Sequence, residues 1–309
     1  MKRIFIVGSP RSGTTLAQRL IATAGDLFTY PETHFFAKMV GHRDARAFSL
    51  KRFQQPFWKR PKHQMRQALR LSCPRDWSDL PFIPRHFNNR RVPMEKLTRA
   101  FVNEFDRMAS EHGLPGWVEK TPDHLHYLDE IHRYIPDAWI IHVIRSNHDV
   151  IASRKDASLI HGGHWDIYYT DLIANVDRQN TDLTRSALYV GDRRHLFVDY
   201  ETLCNHTKDA ITVVMDHVGI SLSTPDTHLS RRAKFPIVKK VELWKHEAVK
   251  GTVKKSPSKW LQVFSEAERA KAERLLAPVP TTVRQALEDF NTLVYRTSAS
   301  RPPNHGRQC

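Results

Sequence analysis

The chain opens on a short apolar run, residues 2–7 (KRIFIV), and then changes rhythm: from Thr14 to about Ala24 apolar positions recur at helical spacing, with Gly25 standing where a helix ends. The same exchange repeats downstream. Residues 26–36 (DLFTYPETHFF), aromatic and broken by proline, predict a second strand ending in a loop. Residues 93–112 predict an amphipathic helix, with Pro93 at its start and Gly113 past its end. Residues 116–120 (GWVEK) predict a strand, 125–135 a helix, and 138–144 (AWIIHVI) a buried strand that runs directly into Arg145 and another helical stretch. A helical region over about 165–188, a strand at 195–200 (HLFVDY) and a helix from 201 to about 217 follow.

Strands exchanging with helices indicate βαβ units, hence a parallel sheet covered on both faces. The expected fold class is α/β, with one domain over residues 1–298. Residues 37–92 hold no clean period and predict short helices and loops inserted over the core. Beyond residue 225 the chain reads as helical and basic, and residues 299–309 as a loose tail.

Composition changes this picture in one respect. Of 309 residues, 40% are hydrophobic and 26% charged, an ordinary globular mixture, but the formal charge is +15. A field of that sign attracts polyanions: nucleic acid, acidic glycan, anionic lipid or a multiply phosphorylated cofactor. Residues 51–92 hold eleven Lys or Arg against two acids, interleaved with Phe53, Phe57, Trp58, Trp77, Phe82 and Phe87, and residues 231–259 hold ten against two. Three scattered cysteines, Cys73, Cys204 and Cys309, fit free thiols in a reducing compartment better than a disulfide framework. Met1-Lys2-Arg3 is followed by too few apolar residues for a secretory leader, and no apolar stretch approaches a membrane span of about 18 residues. A soluble, cytoplasmic protein is the expectation.

The candidate chemistry sits at the first strand-to-helix turn, "VGSPRSGTTL" (7–16). Two glycines with four residues between them and a helix beyond aim backbone N–H groups at one spot, which suits a phosphate or sulfate. A nucleoside-triphosphate loop would carry lysine where Thr14 stands; here the cation, Arg11, lies inside the loop. Phosphoryl transfer also needs Mg²⁺ and a carboxylate at a strand end, and Asp199 is the one candidate. A kinase therefore stays open as a rival, as does a basic nucleic-acid or anion-binding module.

This loop resembles the 5′-phosphosulfate-binding loop of sulfotransferases that use 3′-phosphoadenylyl sulfate (PAPS). "HVIRSNHDVIASR" (142–154) is similar to that family's second signature, a strand-end Arg and a helix Ser, here Arg145 and Ser153 with seven residues between. "PETHFF" (31–36) looks like the E-x-H-F-F stretch of heparan-type members, and "EKTP" (119–122) like the K-T-P stretch of the glycan and tyrosine branches. "DYETL" (199–203) and "SKW" (258–260) are weaker echoes. The chain departs from the pattern at Ser146-Asn147, where the family has Asp/Asn-Pro, and in lacking a clear glycine-rich loop before Trp260.

The resemblance implies a P-loop-like sheet and a reaction that moves a sulfuryl group from PAPS to an acceptor hydroxyl, leaving PAP, with no metal. It implies that Gly8, Ser9, Pro10, Arg11, Ser12, Gly13, Thr14 and Thr15 hold the phosphosulfate end, and that Arg145 and Ser153 hold the 3′-phosphate. Tyr200 and Ser258 would contribute further cofactor contacts. Arg11 would bond the bridging oxygen, Glu32 would deprotonate the acceptor with His34 beside it, and Lys120 would lie near the transferred group. Within the resemblance, residues 37–92 occupy the region where acceptors bind, and their cations and rings suit an acidic glycan rather than nucleic acid, for which no motif is present. The histidine pairs at 124/126 and 161/164 complete no metal site: on a helix, positions two apart face different ways.

Overall fold

The computed structural model describes residues 1–40, 94–161, 167–222, 235–237, 253 and 258–300. Most of the expected insertion (37–92), the second basic segment and the end of the tail lie outside the described residues.

Five strands form one parallel sheet in the order β2-β3-β1-β4-β5. They are β1 (Lys2–Gly8), β2 (Phe28–Tyr30), β3 (Gly116–Lys120), β4 (Trp139–Ile144) and β5 (His195–Asp199). Ile4, Phe5, Ile6 and Val7 of the central strand are each 0% exposed. The pleat sends Ile4 and Ile6 into one core, with the first helix, α1 (Thr14–Ala24), and Phe5 and Val7 into the other. Helices cover both faces, so the strand reads as a continuous apolar run, each fully buried side chain contributing roughly 1.5–3 kcal/mol.

Three elements differ from the sequence pattern for identifiable reasons. The second strand stops at Tyr30, and the chain turns into α2 (Phe35–Val40). The aromatic residues 35 and 36 serve the helix: the Phe35 ring stacks on Phe101 at 4.5 Å, and Phe36 meets the edge of His124 at 5.2 Å. Phe101 belongs to α3 (Met94–Glu111), the expected amphipathic helix. The helix expected over 125–135 is preceded by a 3₁₀ turn, Pro122–Tyr127, and becomes α4 only at Leu128–Tyr134. The later helices are α5 (Asn147–His161) and α6 (Leu172–Ala187), and the helix expected from 201 is broken at His206 into α7 (Tyr200–Asn205) and α8 (Thr207–Val218). The C-terminal part adds α9 (Trp260–Val263), α10 (Glu266–Leu275) and α11 (Thr281–Ala299). No helix among the described residues is long and apolar enough to cross a membrane.

After β1 the chain builds to one side through β2 and β3, then to the other through β4 and β5. Such a reversal leaves a crevice beyond the carboxyl ends of the strands, the usual ligand position in open α/β sheets. Gly8, Lys120, Arg145 and Tyr200 all stand at or just past those ends.

Candidate active site

Residues 8–15 join β1 to α1 in a conformation that few sequences tolerate. Gly8 has φ +150° and Gly13 φ +100°. A Cβ at Gly8 would lie 2.6 Å from the Val143 carbonyl oxygen, and one at Gly13 only 2.2 Å from the Tyr200 ring. Both glycines are thus required by close approach as well as by backbone angle. Arg11 itself has φ +75°, a strained value for a residue with a side chain. The loop closes with Ser12 N–H donating to Ser9 O at 3.0 Å, and buried Thr14 begins the helix, whose free N–H groups face the turn.

Two arginines lie within electrostatic reach of each other here. Arg11 Nε donates to Ser153 Oγ at 3.2 Å, joining the loop to α5. Burial first, and then the neighbouring Arg145 cation, push the Arg11 guanidinium below its ordinary pKa. Arg145 lies over the Tyr200 ring at 4.7 Å, with Asp149 at 3.5 Å. Tyr200 in turn fills the space beside Gly13, so loop, ring and guanidinium are packed in series. Arg145 Nε and Ser12 Oγ are buried and have no hydrogen-bond partner among the described residues. Buried polar atoms are normally satisfied. Two close cations and two orphaned donors fit an anion with several acceptor oxygens, such as a phosphorylated nucleotide.

A second cluster lies alongside. Lys120, at the end of β3, is 0% exposed; its Nζ donates to Glu32 Oε1 and, at 3.1 Å, to Thr15 Oγ1. The other Glu32 oxygen stands 3.3 Å from His34 Nε2. His34 has φ +51°, and its N–H is held by Thr121 Oγ1 at 3.2 Å. One buried carboxylate is therefore bracketed by a lysine that also touches the loop and by a histidine on a constrained backbone.

What constrains that backbone is Glu119, which the sequence reading passed over. It is fully buried and accepts from Thr33 Oγ1 and Thr121 Oγ1, both at 2.7 Å. His124 Nδ1 is 2.9 Å from its other oxygen, while His124 Nε2 accepts from Phe36 N–H at 3.4 Å. The proton on this ring therefore sits on Nδ1 and points at Glu119. Burial would raise the Glu119 pKa, but His124, with Thr121 and Thr33, outweighs it and holds the carboxyl below its usual range.

A third group, also missed, grips the loop from α5 and α6. Asp182 accepts from Ser9 Oγ at 2.8 Å, Arg154 at 3.0 Å and Arg178 at 2.7 Å, with His126 Nε2 at 2.9 Å. Arg154 also donates to Pro10 O at 3.1 Å. Burial would raise the Asp182 carboxyl; Arg178, His126 and Arg154 instead hold it far below the usual carboxylate range. The available signal was the proximity of Arg154 to Ser153, which the polar look of "SRKD" concealed.

His124 and His126 go to different partners, in keeping with their expected divergence. His164 lies outside the described residues. Ser258 is exposed and accepts from Trp260 N–H at 3.3 Å, without a hydrogen bond to the loop. Asp199, the carboxylate a kinase would need, is spent on structure. One oxygen caps α7 by accepting from Glu201 N–H at 2.8 Å and Thr202 N–H at 3.2 Å, and the other accepts from Asn291 at 3.1 Å.

With this geometry in view, residues 3–224 match a family model described as "Sulfotransferase family". Among solved structures, the sulfotransferase domain from the Synechococcus PCC 7002 olefin synthase is similar at TM-score 0.55 and 18% identity, over 94% of each chain. A sulfotransferase from Alicyclobacillus acidocaldarius is similar at TM-score 0.49 and 13% identity, over 93% of this chain and 96% of that one. An uncharacterized protein of Aquifex aeolicus (strain VF5) is 26% identical over 151 residues, which is 49% of this chain and 16% of that protein.

Proposed function

Since the chain belongs to the sulfotransferase family, we propose that it moves the sulfuryl group of PAPS to a hydroxyl of an anionic carbohydrate by metal-free, in-line displacement. The observation that carries this reading is the electrostatic pairing of Arg11 with Arg145 beyond the carboxyl ends of the strands, together with two buried polar atoms, Ser12 Oγ and Arg145 Nε, that have no hydrogen-bond partner among the described residues. Two cations held close repel each other, and an anion between them offsets that repulsion.

PAPS, when bound, supplies the sulfuryl group and departs as PAP. The loop N–H groups of residues 8–15 hold its phosphosulfate end, and Arg145 and Ser153 hold its 3′-phosphate, with Tyr200 supporting Arg145 from beneath. Arg11 now spends its Nε on Ser153, so placing it at the bridging oxygen exchanges that hydrogen bond for one to the ligand. Glu32 receives the acceptor proton, His34 orients it, and Lys120 ties it to Thr15 and so to the loop. Ser258 adds a contact to the cofactor, and the charge of the basic segments favours an anionic acceptor. Positioning and charge carry such a transfer, because it needs little covalent chemistry from the protein.

Supporting the absence of a kinase metal is the capping role of Asp199. The test compares PAP, ADP and ATP in thermal shift and follows PAPS turnover in Glu32→Gln. PAP alone should raise Tm, and Glu32→Gln should lower kcat by ~10²–10⁴-fold with the PAPS KM nearly unchanged. Stabilisation by ATP with Mg²⁺ but not by PAP would overturn the cofactor, and near-normal turnover of Glu32→Gln would remove the base. Salt-insensitive binding of a sulfated oligosaccharide would remove the anionic acceptor.

A further inference from the structure

At the opposite edge of the sheet, where the strands begin, three imidazoles and a carboxylate gather with no part in the chemistry above. His195 opens β5, His132 comes from α4, and Asp192 lies in the turn between α6 and β5. One ligand atom from each of these three residues lies within 4.8 Å of the other two. His132 Nε2 and His195 Nε2 face each other at 2.8 Å. Behind them, His195 Nδ1 is 2.8 Å from His142 Nε2, and His142 Nδ1 is 3.2 Å from Ser186 Oγ.

We propose that His132, His195 and Asp192 bind a divalent first-row transition metal of the zinc class, joining α4, the 188–194 turn and β5. Two neutral imidazoles and a carboxylate are a sufficient protein donor set for Zn²⁺, with water in the fourth position. The outer groups fit too. With His195 Nε2 on the metal, its Nδ1–H donates to His142, whose own Nδ1–H donates to Ser186. A hydrogen bond of this kind behind a ligating histidine fixes its tautomer and ring plane. The Tyr189 ring, parallel to His195 at 4.9 Å, holds the plane from one side.

Two adjustments are required, and both are small. Nitrogens bound to one tetrahedral zinc at ~2.0–2.1 Å stand about 3.3 Å apart, so the pair must open by about half an ångström. His132, partly exposed on a short helix, can supply that shift. Asp192 already accepts from Arg194 N–H at 2.9 Å and Nε at 3.3 Å on one oxygen, and from NH2 at 2.9 Å on the other. A carboxylate offers about four acceptor directions, which leaves one for a metal. The Arg194 charge weakens the site without closing it.

The experiment uses the full chain, stripped with chelator and titrated with ZnCl₂, and separately with CoCl₂ read by visible absorption. Wild type should bind one equivalent tightly and gain roughly 3 to 8 °C in Tm at saturating Zn²⁺. His132→Ala and Asp192→Asn should fold, and should each lose at least tenfold in affinity together with the Co²⁺ band. His195→Ala is avoided because its ring is buried between neighbours. Equal Zn²⁺ response in wild type and His132→Ala would show that other histidines hold the metal and would overturn the proposal. No response in wild type would show a plain chain of hydrogen-bonded imidazoles, and would overturn it equally.

Discussion

Arg145 and Arg154 lie nine positions apart, both buried, and both beside the same loop. Every nitrogen of the Arg154 guanidinium has a partner: it donates to Pro10 O, Asn175 O, Gln179 and Asp182. Arg145 stacks on a ring, meets Asp149 at 3.5 Å, and has no hydrogen bond at Nε among the described residues, with the Arg11 charge within electrostatic reach. A buried charge without partners is costly, so a fold keeps one only where something else supplies the partner. The paired arginine builds the loop; in the function proposed above, the under-paired one faces what the loop holds. The same contrast separates Asp182, surrounded by donors, from the cation-rich crevice it supports.

Removing the partner on the paired side should cost most. Asp182→Asn leaves Arg154 buried beside a neutral neighbour and Arg178 with Asp123 as its remaining carboxylate, and should lower stability by about 3–5 kcal/mol, some 6–20 °C in Tm. A melting point within 2 °C of wild type would break the comparison. The pH dependence has a definite sign. Because the folded Asp182 carboxyl is held below its unfolded value, its contribution is present above about pH 4 and is lost as pH falls further. Asp182→Asn should therefore flatten the acid side of the stability curve.

On the under-paired side the effect moves from stability to binding. Arg145→Met should weaken PAP by ~10–100-fold, as for a hydrogen bond to a charged group, with the Tm of the free protein unchanged or higher. Calorimetry with PAP and a melt without it read the two halves of that statement. A destabilised free protein with normal PAP affinity would exchange the roles of the two arginines.

The smallest effect concerns Glu201, whose carboxyl is pushed up to about 7 by burial and by Asp199, with Arg145 opposing. An acid raised in the folded state contributes stability below its unfolded pKa and loses it as pH rises through about 7. Above that pH its charge also competes for Arg145. Glu201→Gln should raise Tm by about 1–3 °C at pH 8.5 and leave it unchanged at pH 5, as expected for a half-buried charge. PAP affinity should fall roughly two- to fivefold between pH 6 and 8.5 in wild type by more than in the variant. Identical profiles would separate Glu201 from the cradle.

Local patterning was enough to reveal the alternation of strand and helix, the glycine-bracketed loop and the arginine ending β4. These rest on periods of two and 3.6 residues and on glycine's freedom at positive φ, all written within a few neighbouring positions. It misjudged residues 35 and 36, because a pair of aromatics reads equally as strand or as buried helix until Phe101 comes to meet it. Glu119, Arg154 and Asp182 were given no role, since their partners lie 86, 144 and 173 positions away for Thr33, Pro10 and Ser9. Which charge is paired, and which is left for a ligand, depends on distances that only the folded sheet sets. Electrostatic energy depends on separation in space and on burial, and neither can be read from order along a chain.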